Sequence, residues 1–338
     1  MLTGPAFGRR QLLASSAAGL AAPLTRRAEA QQARTLRLGH VDRAAGLLAH
    51  GVEYASEILY ERSGGRLRIE QVPNARLGSE REMLEQVHNR ALDLCLAQPV
   101  SLTIGCTATM LLDTPFVARD FDHVVRIFGS APYQNCLRHM EIGDLAVIGY
   151  ALRAFTPWYL GTRHMTTRDR PIRAPEDMPG LRMRVGGGRT VPAMIRALGA
   201  LPIPMPEAEM HDALGVGAID GQEGPLEAVA DNRLFDFQRC LSLTGHVVMS
   251  LIPVANTHAW HLLRDTERDA LESALHEGSA LCTRLARERE QRLVQEFRQR
   301  DIRITEADRA AFRRALAPFY EDFRQWWGRN TLDHIGAL

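Results

Sequence analysis

The sequence predicts an α/β protein of two lobes, joined by crossing strands and by one long helix that reaches both. Three observations carry this. Hydrophobic spacing follows a β-α-β-α-β order after residue 35. A second strand–helix pattern starts near residue 181. Between residues 269 and 299 the spacing is helical throughout, with no proline and one glycine. A β-α-β order means a mostly parallel sheet covered by helices. The 338 residues are enough for two such units.

The first strand is expected at Leu36-Arg37-Leu38, where apolar and polar residues alternate. Ala44, Leu47, Leu48, Val52, Ala55, Ile58 and Leu59 then recur at helical spacing, and Ser63-Gly64-Gly65 stops that helix. Arg66 to Glu70 alternates again. Ser79 is placed to cap the next helix, Glu82 completes a capping box, and Met83, Leu84 and Val87 form the apolar face. Leu92 to Ala97 is the third strand. In the second unit, Leu181 to Val185 is a strand that Gly186-Gly187-Gly188 ends. Thr190 to Leu198 is a helix with Pro192 tolerated in its first turn, and Ala218-Ile219-Asp220 reads as a short strand. The helix over 269–299 extends roughly 46 Å at about 1.5 Å per residue, longer than one lobe is wide. Its apolar positions thin out between Arg287 and Arg292, which marks a crossing or a bend. Leu145–Tyr150 and Trp158–Arg163 are expected near one crossing between the lobes and Val247–Val254 near another, without a single continuous sheet. On this reading residues 31–160 with 250–289 form lobe I, and residues 161–249 with 290–338 form lobe II.

The first thirty residues read as an export signal. Arg9-Arg10 precedes an uncharged, mildly apolar stretch from Leu12 to Leu24, and Ala28-Glu29-Ala30 is a small-x-small cleavage site. The paired arginines resemble a twin-arginine signal, with the Sec route as the alternative. Cleavage before Gln31 would leave 37 basic and 39 acidic residues. No other stretch is apolar enough to span a bilayer. A net charge of +1 with scattered arginines and 6% aromatic residues gives no nucleic-acid surface. Five cysteines (Cys95, Cys106, Cys136, Cys240 and Cys282) without a CxxC pair suit buried thiols better than a disulfide framework or a zinc site.

No GxSxG, HExxH or Walker A motif is present. Gly215-Val216-Gly217 starts like a dinucleotide fingerprint, but Asp220 stands where the third glycine belongs. The chemistry that remains suits holding an anion. Arg184 lies near the carboxyl end of a strand, before three glycines and a helix start, where α/β sheets bind ligands and helix N-termini favour anions. Arg163 follows the aromatic pair Trp158-Tyr159 on another strand. Two guanidinium groups could clamp one carboxylate with planar forked geometry. Surface exposure is the alternative for any arbitrary arginine pair.

Several segments together resemble the substrate-binding proteins of tripartite ATP-independent periplasmic (TRAP) transporters, the DctP family. Residues 37–41 (RLGHV) resemble its opening strand, and residues 73–82 (PNARLGSERE) its "PNxQLGSERE" segment. Residues 112–120 (LDTPFVARD) are similar to "LDLPFLFRD", and residues 170–185 (RPIRAPEDMPGLRMRV) to "RPIRTPEDLKGLKIRV". Residues 220–226 (DGQEGPL) match "DGQENPL" at all but one position. The resemblance implies a periplasmic-binding-protein type II-like architecture, with Arg184 as the ligand-carboxylate arginine and Arg163 as the arginine of a "GxRxxTT" segment. It departs from the family at Gly224, where asparagine is common, at His211, where tyrosine is common, and at the triple glycine. Those changes bear on which acid is bound.

Further candidates for the pocket are Gln98 at the end of the third strand, Glu80 and Asn74 before a helix, Glu223, and Trp158 against an apolar ligand body. For each a structural role is an equal or better alternative. Glu223 is also a candidate to hold a cation beside the ligand; no other cofactor is expected. His246 is expected to brace the strands between lobes. The leading function is a periplasmic solute receptor that closes on an organic acid and delivers it to a membrane permease. The alternative is an exported α/β enzyme acting on an acidic or phosphorylated small molecule, with His211 or Glu223 as general base.

Overall fold

The computed structural model describes residues 33–104, 107–142, 151–186, 188–327 and 336. The expected signal over 1–30 and the segment Leu145–Tyr150 lie outside the described residues. The chain runs through β1 (Arg34–Gly39), α1 (Leu47–Arg62), β2 (Leu67–Val72), α2 (Glu80–His88) and β3 (Leu94–Ala97). Two 3-10 segments, Pro99–Ile104 and Thr107–Asp113, lead to α3 (Phe121–Gly129), α4 (Ala131–Ile142), β4 (Leu152–Ala154) and β5 (Trp158–Thr167). A second set comprises β6 (Arg182–Val185), α5 (Thr190–Ala197), β7 (Leu201–Pro204), α6 (Glu207–Gly215), β8 (Gly221–Pro225), α7 (Leu226–Asp231) and β9 (Cys240–Asn256). The chain continues with α8 (Thr257–His261), α9 (Asp265–Arg298), β10 (Arg303–Glu306), α10 (Arg309–Ala315) and α11 (Ala317–Trp327).

The local signals act as the sequence suggests at most of these elements. The α2 capping box forms: Ser79 accepts from the Glu82 amide, and the Glu82 carboxylate accepts from the Ser79 amide at 2.7 Å. One strand is displaced. Ala218–Asp220 is not a strand, because the Asp220 carboxylate is committed to Arg182, accepting from its backbone N–H at 2.8 Å and from Nη2 at 2.7 Å. Pairing begins instead at Gly221. A Cβ there would lie 2.3 Å from the Thr166 carbonyl oxygen, so only glycine lets β8 approach β5.

The strand order is β2-β1-β3-β9-β5-β8-β6-β7, with β4 and β10 also paired to β9. The 17-residue β9 is the shared element. Its residues 240–251 pair antiparallel with β5, and residues 252–255 pair with β3. The two crossings expected apart are therefore one: Trp158–Arg163 pair directly with Val247–Leu251, and the hydrogen-bonded path from β2 to β7 is continuous. Two extended segments crossing side by side satisfy each other's backbone groups, which separate crossings would leave unpaired.

The long helix starts four residues earlier than its spacing suggests and runs as one helix of 34 residues. Leu271 and Leu275 pack with α1 and β1 around Leu38 and Leu48, whereas Leu293 and Phe297 pack with Leu214 and Leu241. The charged gap within it is where the helix crosses β5. There Glu290 accepts from the Tyr159 hydroxyl at 2.5 Å and from the Thr162 amide at 2.7 Å. Gly161, at φ +116°, forms the bulge that turns this amide toward the helix.

Trp158 is fully buried between α1 and α9 rather than facing a ligand. A Cβ on Gly51 would lie 2.7 Å from its ring, and one on Gly278 would lie 2.7 Å from the ring and 2.8 Å from the Gly51 carbonyl oxygen. The two helices meet the indole only because both positions are bare. Gly278→Ala should therefore destabilise the fold by about 1–3 kcal/mol through overpacking. Urea unfolding would read this as a lower midpoint with an unchanged slope. An unchanged midpoint would mean that the contact relaxes freely.

Candidate functional site

A cavity of about 600 Å³ opens at the carboxyl ends of β1, β3 and β6, against β5, β8 and β9. Arg184, Arg163, Gln98, Glu223 and Gly224 are on its wall; Glu80, Asn74, His211 and Trp158 are not. Its size is ordinary for a small-molecule site.

Arg184 is the second-last residue of β6 and only 8% exposed. Its Nε and Nη2 donate to the Met205 carbonyl oxygen at 3.1 and 2.9 Å. Among the described residues no carboxylate lies at salt-bridge distance from it. Burial lowers its pKa from the usual value, with Glu223 and Glu207 acting the other way. The start of α5 also reaches the cavity through Thr190 and Val191, and no side chain caps it. Gly186 and Gly188 precede it, and a Cβ on either would meet nothing within 4 Å. A buried guanidinium, an uncapped helix start and free space together suit one carboxylate.

Arg163 reaches the cavity wall with part of its guanidinium already bonded within the chain. Its Nε and Nη2 donate to the two oxygens of Glu223 at 2.6 and 2.7 Å. Nη2 also donates to the Glu223 carbonyl oxygen at 3.2 Å. The fork expected to grip a ligand grips a buried acid of this chain. Burial alone would raise the Glu223 pKa, but the charge of Arg163 and hydrogen bonds from His246 and Arg163 outweigh it and hold the carboxyl well below the usual range. His246 Nε2 lies 3.2 Å from Glu223, and its Nδ1 lies 2.8 Å from the Thr244 hydroxyl. Burial lowers the His246 pKa, with the hydrogen bond and charge of Glu223 acting the other way. A neutral ring donates from Nε2 to Glu223 and accepts at Nδ1. Thus β5, β8 and β9 are pinned together behind the cavity.

The remaining candidates divide. Gln98 is on the wall, and its loop is fixed by Glu80, which accepts from the Gln98 amide at 3.0 Å and from Ser101 Oγ at 2.6 Å. Glu80 is therefore spent on the loop, one layer behind the wall. Asn74 is exposed at φ 61° and accepts from the Ala44 amide at 3.3 Å, so it props the loop after β1. His211 is not on the cavity wall and packs edge-on to Phe237 with ring centroids 4.9 Å apart. At Gly224 a Cβ would approach Gln222 Oε1 to 3.0 Å, so the larger residue common in the resembling family would crowd Gln222 here.

Six charged lining residues were not singled out from the sequence: Asp42, Arg43, Asp113, Glu207, Glu227 and Asp231. Asp42 and Arg43 directly follow β1, at a strand carboxyl end like Arg184, which was the available signal. Arg43 donates to Asp231 at 2.7 Å and lies 3.8 Å from Glu227, both on the cavity wall. Asp113 ends a 3-10 segment that has no periodic signal. Burial pushes its carboxyl up to about 7, with the Val100 backbone and Arg163 acting the other way.

Residues 38–325 match DctP, the bacterial extracellular solute-binding protein family 7. The sialic acid-binding periplasmic protein SiaP of Vibrio cholerae is 29% identical over 315 residues, covering 93% of this chain and 96% of that protein. Among solved structures, a TRAP periplasmic solute-binding protein from Ochrobactrum anthropi superposes with a TM-score of 0.83 at 24% identity, covering 90% of this chain and 94% of its own. Another from Polaromonas sp. JS666, bound to D-erythronate, gives 0.75 at 26% identity, covering 90% and 98%.

Arg163→Ala would leave Glu223 buried and charged without its partner. Breaking such a pair costs about 3–5 kcal/mol. Denaturant unfolding should read a loss of that order, and Glu223→Gln added to it should restore part. A loss under about 1 kcal/mol would mean that the pair contributes little to the fold.

Proposed function

The chain belongs to the bacterial extracellular solute-binding protein family 7, and from that premise we propose that it is the periplasmic receptor of a TRAP transporter. It takes one carboxylate-bearing organic acid into the cavity at Arg184 and delivers it to the membrane permease. The observation that carries this is Arg184 itself, nearly buried, without a carboxylate partner among the described residues, beside an uncapped helix start. The acids named for its relatives, sialic acid and D-erythronate, support a ligand of this class. The sites offered for a general base do not favour an enzyme: His211 is off the cavity, and Glu223 is held ionised by Arg163. The lobes, 31–160 with 250–289 and 161–249 with 290–338, would close about the paired crossing of β5 and β9.

Export to the periplasm follows from the signal over 1–30. Mass spectrometry of the native protein should find a chain beginning at Gln31. A periplasmic receptor still carrying residues 1–30 would defeat the cleavage assignment.

Arg184→Ala should weaken binding of whichever acid raises the melting temperature in a thermal-shift screen. A buried charge pair that loses one partner costs about 2–5 kcal/mol, which is roughly 30- to several-thousandfold in Kd. Arg184→Lys should recover only part, because an ammonium lacks the planar fork. Calorimetry reads the affinity, and circular dichroism checks the fold. Binding within about threefold of wild type would remove Arg184 as the anchor.

A further inference from the structure

The described lining of the cavity carries six acids against three arginines. Most of these charges are answered within the chain. Arg163 is paired with Glu223, and Arg43 lies between Asp231 and Glu227. Glu207 is exposed and accepts from Asn232 Nδ2 at 2.6 Å. Arg184, Asp42 and Asp113 are left, and among the described residues none of them has an opposite charge at salt-bridge distance. Asp113 takes a backbone hydrogen bond from Val100, but its Oδ2 is buried without a partner. The cation that Asp113 feels is Arg163, whose charge Glu223 already balances. Behind the wall Glu80 adds a negative charge within reach of both aspartates. Burial raises the pKa of both, Asp113 to about 7, with His40 and Arg43 acting the other way at Asp42.

We infer that this cavity takes an amino acid, with the ligand carboxylate at Arg184 and a ligand ammonium group at Asp113 and Asp42. The inference rests on the receptor reading above and adds a second charge to the ligand. One unmatched cation facing two unmatched carboxylates is the electrostatic complement of a zwitterion. An ammonium brings three donors and no acceptor to a wall in excess of acceptor oxygens. It also holds Asp113 in its charged form, since a nearby opposite charge favours ionisation. The bonds it makes are then between two ions, the strong class. An acid without a cation meets this wall on weaker terms. Beside added negative charge Asp113 takes up a proton, and it and Nη1 of Arg163 can then donate to a hydroxyl or a second carboxylate. In that arrangement Asp42 and Glu80 keep their charges and nothing in the ligand offsets them. The amine is what distinguishes the two cases, so pairs of acids that differ only by amine for hydroxyl isolate it.

Calorimetry on the purified, dialysed protein at pH 8, above the Asp113 midpoint and below that of an alkyl ammonium, tests this with three pairs. They are 4-aminobutanoate with 4-hydroxybutanoate, 6-aminohexanoate with 6-hydroxyhexanoate, and 6-amino-6-deoxy-D-gluconate with D-gluconate. Succinate and adipate are the dicarboxylates of the same lengths. In at least one pair the amino acid should bind tenfold or more tightly than its hydroxy partner and than the dicarboxylate of its length. Asp113→Asn, which keeps the shape and removes the charge, should cut the amino-to-hydroxy ratio at least fivefold by weakening the amino acid alone. The hydroxy partner should bind that variant as well as wild type or better, which a merely structural role of Asp113 would not produce. Circular dichroism checks the fold. If Asp113→Asn does not fold, Asp42→Asn decides by the same measure. A margin under tenfold in all three pairs overturns the inference, as does a ratio falling less than fivefold in the deciding variant, or no binding by any of the eight acids. In each of these cases the Arg184→Ala experiment, run on whichever acid stabilises the protein, decides the receptor reading separately.

Discussion

The ion pair between Arg163 and Glu223 organises this molecule more than any other single interaction. Glu223 is 1% exposed, and its two oxygens are taken by one guanidinium fork. Such a pair is poor evidence of stability, since two charges leave water to form it. Its consequence is geometric and electrostatic. It joins β5 to β8, His246 extends it to β9, and the three strands form the back of the cavity. It also commits Nε and Nη2 of Arg163 to Glu223, whereas Arg184 meets no carboxylate at salt-bridge distance among the described residues.

The second constraint is the crossing. A strand of 17 residues and a helix of 34 residues each contact both halves of the sheet order, and they meet at β5. Glu290 ties the helix to the bulge at Gly161, and Ser279 and Cys282 bond the Pro157 and Tyr159 carbonyl oxygens, so helix and strand are coupled over several turns. Near the middle of the helix the contact is tight, with the Trp158 indole between Gly51 and Gly278. Around Glu290 it is polar. Interior packing resists gradual deformation, whereas a few polar bonds at a bulge can be re-made at modest cost.

What the sequence disclosed and what it hid follow from the range of the interactions. The α2 capping box is a contact over three residues, and both partners are visible in the string. Arg184 was legible because a strand end followed by glycines and a helix is a local pattern. The length of α9 was legible because periodicity accumulates. Glu223 could be suspected, but its partner is 60 residues away, so the fork at Arg163 was assigned to a ligand. Trp158 before a tyrosine looks the same whether it faces a pocket or fills the gap between Gly51 and Gly278. The start of β8 was misplaced because Gly221 has low strand propensity and is required only by the Thr166 carbonyl opposite. Asp113 had no periodic context, and only the folded wall shows that it lines the cavity beside Arg163.

The two arginines differ in what holds them before a ligand arrives. Arg163 is bonded through Nε and Nη2 to an ionised carboxylate of its own chain, which leaves only Nη1, in contact with the Met249 sulfur at 3.5 Å. Arg184 is bonded to the carbonyl oxygen of Met205, a neutral acceptor. A bond with one ionised group is already about twice as strong as one between neutral groups, and a carboxylate on a guanidinium adds a second charge and a bidentate fork. A carboxylate is therefore a better partner for Arg184 than a carbonyl oxygen or water. The Met205 carbonyl meanwhile fixes the direction of the guanidinium, so a ligand meets a group already oriented and loses little side-chain freedom on binding. The same carbonyl cannot neutralise the charge it orients. Arg184 is thus positioned by the fold and left electrostatically incomplete by it.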